Sequence, residues 1–402
     1  MSSGRFVITG LGGICSIGND APSIWQAMKA GMCGIGPLTI ERRDLRTNIG
    51  GEVKGFDPER FDPKQRLAMS RFSMFAVEAG RQALEAAGLD SKTPLGPRAG
   101  AVMGTAVWGA DAVDEAYIDV FLEGKKRTNI FTVPKAMPGA PSGQMSLHFG
   151  LRGPVFGVTS ACASANHALC AAVDQLRTGR ADIMLAGGTD TPVQYGILKT
   201  WEALRVLARE TCRPFSADRD GLVLADGAGA AVIETLEHAK ARGAPILAEI
   251  IGFGLSADAS DIVSPTVEGP AAAMQACLDD ARLNVDEVDY INAHGTGTKA
   301  NDRIETRAIR SVFGEHADKL SISSTKSMHG HCLGGSGAIE LIACINAIRE
   351  GVVPPTIGYT THDPECSLDV TANVARERRV NVALSNAFAF GGMNAVIALR
   401  KF

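Results

Sequence analysis

The chain resembles itself. Its opening run, Val7-Ile8-Thr9-Gly10-Leu11-Gly12, has a counterpart in Ile250-Ile251-Gly252-Phe253-Gly254-Leu255. Later in each stretch a strand-like segment meets a Ser/Thr-rich loop and then a helix of small residues. These are Val158-Thr159-Ser160 before Cys162–Leu176, and Ser323-Ser324-Thr325 before Ser336–Ile348. A repeat on this scale predicts two related halves, 1–245 and 246–402. No low-complexity linker divides them, so they are expected to share one core.

Between these landmarks apolar strands alternate with helices. Strands are expected at Arg5–Thr9, Ala99–Met103, Ile183–Ala186, Gly229–Glu234, Ala248–Gly252, Tyr290–Ala293 and Leu320–Ser323, with two more at the C-terminus. Helical spacing marks Lys64–Ala87, stopped by Gly88, then Leu236–Arg242, Ala271–Ala281 and Asp302–Val312. The alternation implies an α/β protein with helices on the faces of a parallel or mixed sheet. Residues 107–150, with Pro134, Pro138 and Pro141, read as an irregular insertion over one half, of the kind that lines sites or builds interfaces.

Composition excludes several classes. Apolar residues make up 45% of the chain and charged residues 21%, too much core material for a disordered protein. The net charge of −4 supports no nucleic-acid or membrane-surface role. No apolar run of membrane-spanning length occurs, and the N-terminus lacks the features of a secretion signal. Nine cysteines, none at CxxC spacing, suggest neither zinc nor a disulfide framework and suit a reducing cytoplasm.

Four segments carry candidate chemistry. Cys162 follows a strand and a Thr-Ser turn at the start of an Ala-rich helix, where the helix dipole is expected to lower its pKa. A buried cysteine among alanines is otherwise simple packing. His294 opens His294-Gly295-Thr296-Gly297-Thr298, in which Gly allows close backbone approach and Thr hydroxyls can bind amides; a structural turn fits equally. Lys326, His329 and His331 follow another strand end, with Glu340 in the helix beyond. A metal reading of that HxH has no acidic or thiol partner at ligand spacing. Phe388-Ala389-Phe390-Gly391-Gly392 ends a strand, either as a plain turn or as a mobile gate whose N–H groups can hold an oxyanion. Gly10-Leu11-Gly12-Gly13 is no dinucleotide fingerprint, because Cys15 stands at the sixth position.

Together and in this order, the four segments resemble the β-ketoacyl-acyl-carrier-protein synthase family, of the type with a Cys-His-His site. The resemblance spans essentially the whole chain, including Arg213-Pro214-Phe215, Asp218-Arg219-Asp220-Gly221 and Asp226-Gly227-Ala228-Gly229. Within the family it is most similar to the nodulation-type synthases of rhizobia, on HGTGTKAND (294–302), EGVVPPT (350–356) and SNAFAFGG (385–392). The resemblance implies a thiolase-like fold of two βαβαβαββ halves in five layers α-β-α-β-α, and a homodimer. It implies decarboxylative condensation: Cys162 holds an acyl chain, and a malonyl unit on acyl carrier protein supplies the attacking carbanion. By similarity, neutral His294 and His331 donate through Nε2 to the malonyl thioester carbonyl. The N–H groups of Cys162 and Phe390 form the oxyanion hole, and Lys326, anchored by Glu340, tunes the site. Thr296 and Thr298 bind the phosphopantetheine arm, Phe388 and Phe390 gate, and Val107 and Trp108 bound the acyl tunnel. No cofactor is implied beyond a structural monovalent cation at Asn292, Glu305, Glu340, Ser385 and Asn386. Lys64, Arg66, Lys125, Lys126, Arg127, Arg205 and Arg209 would meet an acidic carrier protein at the tunnel mouth. His329, Ala389 and Met393 depart from the family pattern. A non-catalytic partner subunit would lack Cys162, and a thiolase would carry a second cysteine in the loop 386–394, which has none.

Overall fold

The computed structural model describes residues 4–40 and 44–402. Its main sheet has ten strands: β1 (Phe6–Cys15), β2 (Ala99–Gly104), β3 (Val155–Val158), β4 (Ile183–Asp190), β5 (Gly227–Thr235), β6 (Ala248–Ala257), β7 (Tyr290–Asn292), β8 (Ser321–Ser323), β9 (Val382–Ala389) and β10 (Met393–Arg400). The principal helices are α1 (Arg71–Ala86), α2 (Ala140–Phe149), α3 (Ser164–Arg177), α4 (Tyr195–Leu204), α5 (Glu268–Ala281), α6 (Lys299–Phe313) and α7 (Ser336–Glu350).

The sheet order, β8-β7-β9-β10-β6-β1-β5-β4-β2-β3, is the same five-strand pattern written twice and joined at its middle. In each half the outer two pairings are parallel and the inner two antiparallel. The seam is a short antiparallel pairing of β1 with β6, from Phe6↔Ile250 to Ile8↔Ala248. The expected duplication is therefore present, with hydrogen bonding continuous across both halves. Helices α1 and α2 cover the first half of the sheet and α5 covers the second with α6 packed on it, while α3 and α7 pack between the two halves. This is the five-layered arrangement of the thiolase-like fold. The largest apolar cluster draws on both halves, from Phe6 to Leu399.

The self-resemblance has a packing cause. A Cβ on Gly12 would stand 2.0 Å from the Ala79 carbonyl oxygen of α1, and one on Gly254 would stand 2.0 Å from the Ala273 oxygen of α5. Each half thus needs glycine where its first helix lies directly on its first strand. The glycine-rich opening is a helix-packing seat.

Two expectations need correction. The helix expected over Lys64–Ala87 is broken: a short turn at Pro63–Leu67 precedes α1. Ser70 takes an extended conformation between them, and its hydroxyl donates to the Lys135 carbonyl at 2.9 Å, a tertiary bond that local periodicity does not encode. Residues 107–150 are also more regular than expected. Helical segments run over Ala110–Tyr117, Ile118–Leu122, Thr132–Ala136 and α2. Pro141 falls in the first turn of α2, where a missing N–H costs nothing.

Candidate active site

The strand–turn–helix passage from β3 to α3 positions Cys162. Ala161 adopts φ +46°, and Ala161–Ala163 forms a tight 3-10 turn before α3 begins at Ser164. Ser164 Oγ accepts from the Ser160 N–H at 2.9 Å and fixes the turn. Cys162 is buried and lines a cavity of about 120 Å³.

The second half supplies the histidines. His331 Nε2 stands 3.1 Å from Cys162 Sγ, and its Nδ1 lies 2.9 Å from Ser336 Oγ. Ser336 can either donate to Nδ1 or accept from it, so both neutral tautomers of His331 are satisfied. A ring nitrogen of His294 completes a cluster in which the thiol and both imidazoles lie within 4.8 Å of one another. The two rings meet edge to face at 5.5 Å. Helix α6 clamps the loop that carries His294. Glu305 accepts from the N–H groups of His294 and Gly295, each at 2.8 Å, and Asp302 accepts from Gly297 N–H at 3.2 Å and Phe215 N–H at 2.8 Å. Arg219, braced by Asp363 at 2.5 Å, backs Asp302.

Electrostatics follow from burial. His294 and His331 are both held well below the usual histidine range, first by burial and then by the nearby Lys326 ammonium, so both are neutral. Lys326 is fully buried and paired with Glu340, whose own pKa burial raises against the pull of the lysine. The expectation of a lowered Cys162 pKa is corrected: burial pushes the thiol up to about 12, and Lys326 only partly opposes it. The dipole of α3 starts beyond the thiol's own turn, and desolvation outweighs it. At rest Cys162 is a thiol facing His331.

The remaining assignments divide. Thr296, Thr298, Phe388 and Phe390 line the same cavity as Cys162, His294 and His331. The Thr296 and Thr298 hydroxyls are 3.0 Å apart. Val107 packs in the apolar cluster around Cys162 but does not line the cavity. Trp108, with φ +45°, is 45% exposed in the single chain and does not line the cavity. His329 is fully buried, its Nε2 3.1 Å from Thr325 Oγ1, and burial lowers its pKa to about 3. Arg205 and Arg209 are exposed on either side of Val206, which lines the cavity. Lys64, Lys126 and Arg127 are exposed on other segments, Arg66 pairs with Glu59, and Lys125 is tied to Asp119 and Glu123 at 2.8 Å each.

Several contributors escaped sequence reading. Trp201 stacks on Phe390, Asp302 holds the His294 loop, and Ser336 orients His331. Asp190 is fully buried and joins the two halves. Its carboxylate accepts from Thr105 Oγ1 at 2.6 Å, from Ala106 N–H at 2.8 Å and Val107 N–H at 3.1 Å, and from Gly334 N–H at 2.7 Å. Only the DxxE spacing of Asp302 and Glu305 on one helix face carried a local signal.

Fold and site together define an acyltransferase of the condensing type. The beta-ketoacyl synthase N-terminal domain model matches residues 4–239 and the C-terminal domain model residues 247–360, so the chain belongs to the beta-ketoacyl synthase family. It is 60% identical over 398 residues to nodulation protein E of Rhizobium sp. (strain N33), covering 99% of each chain. It is 40% identical over 407 residues to 3-oxoacyl-[acyl-carrier-protein] synthase 2 of Staphylococcus aureus (strain COL), covering 99% of this chain and 98% of the other. Among solved structures, the ishigamide ketosynthase/chain length factor superposes with TM-score 0.95 at 35% identity over the whole of both chains. A type II polyketide ketosynthase captured with its acyl-carrier protein, AntDE:AntF, superposes with TM-score 0.91 at 31% identity, also over both whole chains. No described helix is long and apolar enough to cross a membrane.

Proposed function

We propose that the protein is a 3-oxoacyl-[acyl-carrier-protein] synthase that elongates a fatty acyl or related lipid chain. The observation that carries this reading is the 3.1 Å approach of His331 Nε2 to Cys162 Sγ, with His294 in the same cluster and lining the same cavity.

The thiol proton passes to His331 Nε2 as Sγ attacks the acyl thioester, and the departing pantetheine thiolate takes it up. Acyl-Cys162 and a free carrier thiol result. Malonyl thioester then binds with its carbonyl oxygen facing His294 and His331. Between the two half-reactions His331 exchanges through solvent from its Nδ1–H to its Nε2–H tautomer, Ser336 Oγ then donating to Nδ1. Each neutral imidazole can then donate through Nε2 to the enolate oxygen as carbon dioxide leaves. The carbanion attacks the acyl carbonyl, and the Cys162 and Phe390 N–H groups receive the oxyanion. Collapse breaks the C–S bond and returns Cys162 as thiolate, which takes a proton from solvent. Burial, assisted by the nearby Lys326 ammonium, keeps both histidines neutral.

Thr296 and Thr298 are assigned to the pantetheine arm and acyl carrier protein to the partner, with Arg205 and Arg209 as docking charges beside the mouth. A homodimer is supported by the free edge of β3 and by the exposed apolar side chains of Tyr117, Phe121, Leu122, Ile130 and Val133. The nine free cysteines suit the cytoplasm. Burial leaves Asn292 Oδ1, Glu340 Oε2, Ser385 Oγ and Asn386 Oδ1 without a donor. With Glu305, whose oxygens already accept from His294, Gly295 and Asn386, that set of hard oxygens fits a structural monovalent cation, which would supply the missing partner.

The test incubates the protein with acyl-carrier-protein thioesters and identifies the modified peptide by mass spectrometry. Acylation at Cys162 that Cys162→Ala abolishes is expected. His294→Ala and His331→Ala should still acylate yet fail to decarboxylate malonyl thioester. Acylation at another residue, or normal decarboxylation in both histidine variants, overturns the reading.

A further inference from the structure

Helix α4 has no counterpart in the second half. It lies between β4 and β5, where the equivalent β9 and β10 are joined by Phe390–Gly392 alone. From α4 the Trp201 indole lies against the Phe390 ring, with centroids 5.9 Å apart and planes 20° from parallel. This is offset stacking. Phe390 stands just before Gly391 and Gly392, at φ +81° and +66°, conformations that glycine adopts without strain. Both rings line the same cavity as Cys162, along with Val206 and Leu222. The contact therefore crosses between the halves, from an element present in only one of them to the loop that carries the gate.

We propose that Trp201 is the latch of the Phe390 gate and a specificity-determining residue for the acyl chain. The inference rests on the reading that Cys162 receives the acyl group. In the closed position Phe390 is held by stacking, and an incoming chain must take over that contact to reach the thiol. Once the ring swings away, the indole face is left as a wall of the opened passage, facing Val206 and Leu222. A flat aromatic wall rewards an apolar chain long enough to cover it and penalises short or polar acyl groups, which leave the indole and the displaced ring without partners. Trp201 thus couples opening to the identity of the chain.

The chain has three tryptophans, at 25, 108 and 201. In Trp25→Phe/Trp108→Phe protein, Trp201 is the sole emitter. Its emission is followed while acyl-carrier-protein thioesters of graded length acylate Cys162, with mass spectrometry of the same samples. A change in emission at the rate of acylation is expected. Trp201→Ala should acylate about two- to tenfold faster, the factor that loss of one aromatic stack supplies. It should also lose discrimination between short and long chains, while Trp201→Phe, which can still stack, keeps the parent profile. Complete acylation with unmoved emission, or Trp201→Ala with the parent rate and profile, overturns the latch alone. Absence of acylation in the parent overturns the proposed reaction and the latch with it. Should Trp201→Ala fail to fold, the emission measurement still decides.

Discussion

Lys326→Met isolates what the buried ion pair contributes. Lys326 and Glu340 are both fully buried and pair with each other, and Glu340 Oε2 has no other donor. Removing the ammonium leaves a carboxylate that the interior cannot hold charged, so Glu340 takes a proton in the folded state. Its ordinary value is 4.5 and burial already raises it. The unfolded chain therefore ionises above 4.5 while the folded chain stays protonated, and the variant loses stability as pH rises through that window. The loss is about 1.36 kcal/mol per pH unit, or about 4 kcal/mol near pH 7.5 and about 1.4 kcal/mol near pH 5.5. Urea unfolding of parent and variant at the two pH values measures it. Adding Glu340→Leu should recover most of the loss and flatten its pH dependence, because no buried charge remains to neutralise. An equal loss at both pH values, or a double variant no better than the single one, would refute the account of the pair.

Two further outcomes follow from the same burial. Asp190→Asn keeps the shape but replaces two acceptor sites with donors that face N–H groups, so it should cost about 2–4 kcal/mol in urea unfolding and slow acylation of Cys162. His294, His329 and His331 are kept neutral when folded, so the acylation rate should show no fall near the ordinary histidine pKa of 6.5. Stability should instead fall as pH drops below that value, because the unfolded chain takes up protons that the folded chain refuses. His329→Gln should make that fall shallower by about 1.4 kcal/mol per pH unit, and an unchanged slope would show that His329 is protonated in the fold.

Much of this was legible in one dimension. The duplicated glycine strands, the Ser/Thr loops and the small-residue helices are local patterns, and local patterns dictate strand–turn–helix units. They placed Cys162, His294, Lys326 and His331 at the ends of strands, where a duplicated α/β fold gathers its polar side chains. Sequence alone thus determined the duplicated strand–turn–helix plan and brought forward Cys162, His294 and His331 as candidates. Tertiary structure decided the rest. The acidity of Cys162 is set by desolvation, which depends on every neighbour that excludes water and on the Lys326 charge from the other half. Trp108, read as bounding a tunnel, does not line the cavity of the single chain, while Trp201 carried no local signal and stacks on Phe390. Both outcomes depend on how the halves close against each other, a matter of packing between residues far apart in the chain, which no periodicity records.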